Sequence, residues 1–324
     1  MRKLVIILLF AFLLSYIAFA QKNVICFSGK GRYIYAMTNY GVFRSTNYGK
    51  KWEPHNVFLS YPQVAISTKD EIIYISSGTG LFSSDNHCDS WSSIWDTYKI
   101  GAQIETKDSL YYEPFIRSLA IQDSLIFVGT SNGIYLSTNE GRSWKRIYYD
   151  VNSPEICSIA TSNKTIIAGT SKGIIYSTNY GNSWIRNTLA DSINEIKINN
   201  ISVIGNFIFA ISNDKQLVFS STDNGNSWRV LPNALIKSKI NNIIGKDNLI
   251  FWGTENEGIF ISKKDNCNWE RMTKKLEGMS ILSLMIKNGR IFASTDTGDI
   301  FISKNNGKKW IKRNNGLRFK TYIR

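Results

Sequence analysis

From Val24 onward, short runs of β-branched, aliphatic and aromatic residues alternate with clusters of glycine, asparagine and serine. Residues 156–160, 165–169, 173–177 and 183–186 illustrate the rhythm: four apolar-rich runs of strand length, separated by turn-forming residues. Between the third and fourth runs stands an octet, Ser-x-Asn/Asp-x-Gly-x-x-Trp, that recurs along the chain. Full copies are Ser45, Asn47, Gly49, Trp52; Ser137, Asn139, Gly141, Trp144; Ser177, Asn179, Gly181, Trp184; Ser221, Asp223, Gly225, Trp228; and Ser303, Asn305, Gly307, Trp310. Two weaker copies fill the gaps. In Ser84, Asn86, Trp91 the glycine place holds Cys88, and in Ser262, Trp269 the places of Asn/Asp and Gly hold Lys264 and Asn266.

The seven tryptophans are spaced by 39, 53, 40, 44, 41 and 41 residues. Four strands at such a period predict a β-propeller, where radial repetition leaves only short protected edges. The expected fold is all-β, a single seven-bladed propeller of four-stranded antiparallel blades. Two separate all-β domains are the alternative, and the even repeat from end to end argues against them. Residues 24–52 already contain four strands, so closure does not require a strand borrowed from the other terminus. The tail after Gly316 has the option of adding a strand beside blade 1. In each octet the Asn or Asp side chain accepts bonds from loop amides, glycine supplies a positive φ, and tryptophan anchors the loop in apolar packing.

The first twenty residues read differently. Arg2 and Lys3 precede an almost wholly apolar run, and Ala18-Phe19-Ala20 precedes Gln21. This is the layout of a cleaved secretory signal, which makes residues 1–20 a signal peptide, 21–316 the propeller and 317–324 a basic tail. Export to a periplasmic or extracellular location is the expectation. The four cysteines, Cys26, Cys88, Cys157 and Cys267, fall in four different repeats without paired spacing, so free or buried thiols are expected.

The formal net charge is +14, from 39 basic and 25 acidic residues. Without Arg2 and Lys3 it is +12, of which +8 lies in residues 300–324 and +5 in residues 22–53, leaving −1 for residues 54–299. The last and first blades of a closed ring are neighbours, so the excess is confined to one sector. Lys308, Lys309, Lys312 and Arg313 are its candidate docking residues, for an acidic protein partner or an anionic envelope surface. No nucleic-acid motif accompanies the charge.

The octets resemble the Asp-box, or BNR, repeats of sialidases, sortilin-type receptors, xyloglucanases and photosystem II assembly and stability factors. The plan of one exported propeller with repeats such as "GIIYSTNYGNSW" is most similar to the last group. That resemblance implies a protein-binding assembly factor; it specifies fold far more tightly than function.

Two features fall where propellers usually take ligands. The long interval before Trp144 inserts residues 95–113, with Trp95, Tyr98, Tyr111 and Tyr112 beside acidic residues, a composition suited to stacking on a sugar or peptide. Aligned repeats also place Gln63, Arg117, Cys157, Asn199, Asn241 and Leu282 at one position of the innermost strands, a partly polar ring in the channel. A sialidase would need an arginine cluster for a carboxylate. Here the nearest string to its motif, Pro114-Phe115-Ile116-Arg117, has the wrong order. Only His55 and His87 are present, which disfavours histidine-based catalysis and histidine-rich metal sites. The expectation is therefore a monomeric, non-catalytic scaffold without metal or cofactor. A carbohydrate-binding or glycoside-hydrolase propeller using the insert is the alternative.

Overall fold

A computed structural model describes residues 23–38, 41–55, 63–96, 100, 114–150, 155–162, 164–187, 196–232, 236–264, 268–272 and 274–317. Its strands form seven sheets of four, each an antiparallel meander in chain order. Blade 1 comprises Val24–Lys30, Tyr33–Thr38, Gly41–Ser45 and Glu53–His55. The innermost strands of the other blades are Gln63–Lys69, Ile116–Gln122, Ile156–Ser162, Asn200–Ile204, Ile240–Lys246 and Ile281–Lys287. Each lies against the next, and Ile281–Lys287 lies against Val24–Lys30, so the ring is closed. Helix is nearly absent among the described residues; a single 3-10 turn, Lys274–Leu276, links blades 6 and 7.

Burial follows the meander. Second and third strands are apolar and enclosed on both sides, as in Thr165–Thr170 and Gly173–Ser177, while fourth strands such as Ile185–Asn187 are largely exposed. The core is thus distributed between blades, in seven clusters that join neighbouring sheets. A second repeated device, not anticipated from the octets, ends the second strand in four of the blades. Buried Thr38, Thr130, Thr170 and Thr254 donate to the carbonyls of Gly41, Gly133, Gly173 and Gly258 at 2.8–2.9 Å, pinning the loop to the third strand.

The octets fold as loops between third and fourth strands. In blade 4 the Gly181 N–H donates to Ser177 Oγ at 2.8 Å and the Ser183 N–H to Asn179 Oδ1 at 2.9 Å, while Ser177 Oγ–H donates to Asn179 at 2.9 Å. The same three bonds recur around Asn47, Asn139, Asp223 and Asn305. The weaker octet of blade 2 keeps the arrangement, and Cys88 takes the positive φ of 78° that glycine holds elsewhere. In blade 6, Ser262 Oγ donates instead to the Lys263 carbonyl at 3.2 Å. There Trp269 packs on Trp252 with ring centroids 3.5 Å apart.

Tryptophan burial is uneven. Trp52, Trp269 and Trp310 are buried, whereas Trp91, Trp144, Trp184 and Trp228 are half-buried. Trp144 and Trp184 donate their indole N–H to Ile94 and Ile147 of the preceding blade, at 2.8 and 3.0 Å. In these blades the box tryptophan is an inter-blade tie, whereas Trp228 bonds the Gly225 carbonyl of its own loop. Closure uses the same tie: Trp52 donates to the Arg313 carbonyl at 3.0 Å, and its backbone N–H to Asn315 at 2.8 Å. No strand is exchanged at the seam among the described residues, and 313–317 run over blade 1 as an irregular strap, not as an added strand.

Candidate functional site

The two faces of the ring differ. One carries the octet loops and the turns between first and second strands. The other carries the loops between second and third strands and the entries to each blade. Bonds from Ser131, Ser171, Glu255 and Asp296 N–H to the carbonyls of Phe115, Glu155, Lys239 and Ser280 hold these last two sets together.

On the second face the channel rim is built by the bulged residue of each inner strand. A bulge leaves one residue outside the ladder and turns its side chain away from the sheet. The shift in register falls between Ile116 and Ser118, Ile156 and Ser158, Ile240 and Asn242, and Ile281 and Ser283, which puts Arg117, Cys157, Asn241 and Leu282 at the bulge. The Asn199 N–H bonds to the Ile211 carbonyl beside the Asn200–Ile211 pair, giving Asn199 the equivalent place. Gln63 pairs with Ser77, so the blade 2 equivalent is Val64 and not Gln63.

Arg117 and its neighbours form a charged network at this rim. Arg117 Nε stands 2.6 Å from Glu155 Oε1, and Lys197 Nζ stands 3.9 Å from Glu155 Oε2. Cys157 donates to the Glu155 carbonyl at 3.8 Å, and burial pushes its thiol up to about 11. Two cations sharing one carboxylate leave hydrogen-bonding capacity for a carboxylate or carbonyl of a ligand. Of this group Arg117 and Cys157 stood out in the sequence. Glu155 directly precedes the strand, a position without a motif to mark it.

The insert yields a correction. Trp95 belongs to strand Ser92–Asp96, is 2% exposed, and packs edge-on against Tyr135 and Trp144 at 5.1 and 4.9 Å. It is a core anchor and offers no stacking surface to a sugar. Tyr98, Tyr111 and Tyr112 lie outside the described residues, as do the signal segment, Cys267 and the last seven residues of the tail.

The basic sector also resolves into parts. Lys308 and Lys309 are exposed on the blade 7 octet loop. Lys312 stands on the outer strand, where its ammonium pairs with Asp299 at 2.7 Å. Arg313 belongs to the closure strap through its carbonyl. The four therefore do not share one role. Among the described residues the two shifted carboxyls are both held low. Hydrogen bonds from Ser227 hold the Asp223 carboxyl below its usual range; burial opposes the same effect at Asp299, but Lys312, Asn314 and Thr297 prevail. A glycosidase acid needs the opposite shift.

Both histidines meet at the seam of blades 1 and 2. His87 stacks on Tyr33 with ring centroids 4.0 Å apart and hydrogen-bonds Tyr35 Oη at 3.2 Å. His55 Nδ1 stands 3.4 Å from Asp89. Arg44 bridges the seam by donating to the His87 carbonyl at 2.9 Å, with Asp89 at 3.5 Å.

Seven four-stranded blades tied by Asp-box loops define a BNR-type β-propeller. The sequence profile of the photosynthesis system II assembly factor YCF48 family matches residues 115–321, and the chain belongs to that family. No curated protein matches it closely. Among solved structures it is similar to YCF48 bound to a D1 peptide, with a TM-score of 0.61 and 14% identity over 77% of this chain and 80% of the other. It is likewise similar to YCF48 from Cyanidioschyzon merolae, with a TM-score of 0.65 and 14% identity over 87% and 95%. A GH74 xyloglucanase from Xanthomonas campestris shares the fold at a TM-score of 0.70 and 12% identity, over 91% of this chain but 55% of the enzyme.

Proposed function

We propose that this protein is an exported, monomeric, non-catalytic propeller that holds a protein partner and assists assembly of an envelope or membrane complex. Membership of the YCF48 assembly-factor family carries this reading. A family relative in complex with a D1 peptide supports peptide capture as the mode of action. The rim of Arg117, Glu155 and Lys197 suits such a role, since charged donors beside a channel mouth can hold main-chain carbonyls or a carboxylate.

Cross-linking in envelope extract, with the linked peptides mapped by mass spectrometry, tests the proposal. The expected result is one protein partner linked near residues 115–117 and 197–199, lost in Arg117→Ala/Lys197→Ala. Capture of oligosaccharides on a glycan array, with no specific protein cross-link, would replace it with the carbohydrate reading.

A further inference from the structure

The octet face of blades 7 and 1 carries a concentration of positive charge that the partner-binding reading leaves unused. Arg32 and Arg290 lie at the turns between first and second strands; Lys50, Lys304, Lys308 and Lys309 lie in or beside the two octet loops. All but the half-buried Arg290 are exposed, and none of the six forms an ion pair with a carboxylate among the described residues. Nearby Lys30 and Lys51, by contrast, are paired with Asp70 and Glu53.

The fold fixes where these charges lie. The turn of one blade adjoins the octet loop of the next: the Arg290 guanidinium lies 4.1 Å from the Tyr48 ring centroid, and Lys246 Nζ reaches Asn306 Oδ1 at 2.5 Å. Turns and octet loops are all strand ends of one polarity, so the six cations share one end of the ring: Lys50, Arg290 and Lys304 line a small cavity with Tyr48, Ile302, Ile311 and Arg313, while Arg32, Lys308 and Lys309 lie outside it. Tyr48 stands among them at the crest of its octet loop, with a φ of 60° and 38% of its surface exposed. The equivalent crests are Glu140 in blade 3 and the similarly exposed Tyr180 in blade 4, which lacks the surrounding cations of blades 7 and 1. On the same face, blade 2 carries Asp70, Glu71, Asp85 and Asp89, so the positive field ends abruptly at one edge.

We propose that this face docks on an anionic phospholipid membrane, with blades 7 and 1 against the headgroups and the opposite face turned outward. Three features favour a lipid surface over an acidic polypeptide. Arg32, Lys308 and Lys309 lie out on the turns and loops, beyond the small cavity that Lys50, Arg290 and Lys304 line, so the charge is wider than any one groove. Four of the six are lysines, compact point charges that suit diffuse headgroup charge, whereas bidentate carboxylate capture favours arginine. The one exposed aromatic among them sits where an interfacial ring would enter the headgroup layer. The proposal stands apart from the protein partner, which is assigned to the other face.

Vesicle co-sedimentation tests it, using the chain from Gln21, which contains every strand of the propeller. The probes are phosphatidylcholine vesicles and equimolar phosphatidylcholine–phosphatidylglycerol vesicles. Wild type is expected to sediment with the anionic vesicles alone and to be released as salt shortens the Debye length well below ~10 Å. Lys50→Glu/Lys304→Glu/Lys308→Glu/Lys309→Glu should lower partitioning by roughly tenfold or more. A control with equal net charge, Lys172→Glu/Lys215→Glu/Lys237→Glu/Lys239→Glu on the opposite face, should retain it. Both variants should keep the wild-type circular dichroism spectrum and melting temperature. Failure of wild type to sediment overturns the proposal, as does equal loss in both variants. Binding to polyglutamate but not to anionic vesicles overturns it in favour of an acidic polypeptide. None of these outcomes bears on Arg117-dependent cross-linking.

Discussion

The indole N–H of Trp52 donates to the carbonyl of Arg313 at 3.0 Å, across 261 residues of sequence. The bond repeats the tie by which Trp144 and Trp184 hold the blades before theirs, and here it joins the first blade to the last. Around it pack Phe43, Phe292, Ile302 and Leu317, so the seam is an ordinary inter-blade core assembled from both ends of the chain.

Weakening this seam should destabilise the whole ring. Trp52 is 1% exposed, and Trp52→Ala should cost about 3–5 kcal/mol. Trp52→Phe, which chiefly removes the bond, should cost about 1–2 kcal/mol. Gly316 has a φ of 86°, and an added Cβ would collide with the Trp52 carbonyl oxygen, so Gly316→Ala should cost about 1–3 kcal/mol. Urea unfolding followed by tryptophan fluorescence measures all three. Unchanged midpoints would mean that the ring is held elsewhere.

The Asp-box loops should respond to chemistry at the third position of the octet. Asn179→Ala removes the acceptor for the Ser183 N–H and Ser177 Oγ, and should cost about 1–2 kcal/mol. Asn179→Asp should be nearly neutral, because Asp223 makes the same bonds in blade 5. The half-buried Trp184 should cost less on truncation than Trp52. Thermal melts of the three variants check this ranking.

Stability should fall in two separate pH windows. Burial, and then the Arg44 guanidinium, push the His55 imidazole below its ordinary value against the pull of Asp89. The unfolded chain therefore takes up this proton first, so the contribution is complete above about pH 6.5 and declines as the pH falls below that value. Asp223 and Asp299 are held low, so theirs is complete above about pH 4 and is lost as the pH falls through their folded-state values. A melting-temperature series in wild type and His55→Gln should differ in the upper window alone.

The thiols should be slow to react. Burial pushes Cys26 up to about 12, raises Cys88 further, and raises Cys157 to about 11. At neutral pH each is almost wholly protonated, and the thiolate is the nucleophile. Brief maleimide labelling, mapped by peptide mass, should leave these three unmodified in the native protein and modify all of them in denaturant. Rapid native labelling of Cys88 would mean that the blade 2 loop opens.

Blade number, strand count and loop chemistry were legible in the sequence because each depends on residues close in the chain. The octet closes its bonds within eight residues, and the strands alternate with turns at a fixed period. The polar candidates were less legible. Trp95 carries the same composition signal whether it packs inside or faces solvent, and only its contact with Tyr135 and Trp144 places it in the core. Gln63 was one place off: the register shift falls between Gln63 and Ala65, and only the strand pairing shows it.

What the chain determined by itself was local: the hydrophobic period, the positive-φ sites and the excess of positive charge at its two ends. Tertiary structure decided which of those charges share a face. Lys308 and Lys312 are four residues apart, yet one lies on an octet loop while the other is neutralised by Asp299 on the outer strand. Arg290 and Tyr48 are 242 residues apart and lie in contact. The physical reason is ring closure: an antiparallel strand carries neighbours in sequence to opposite faces, and a closed ring brings the two ends of the chain together.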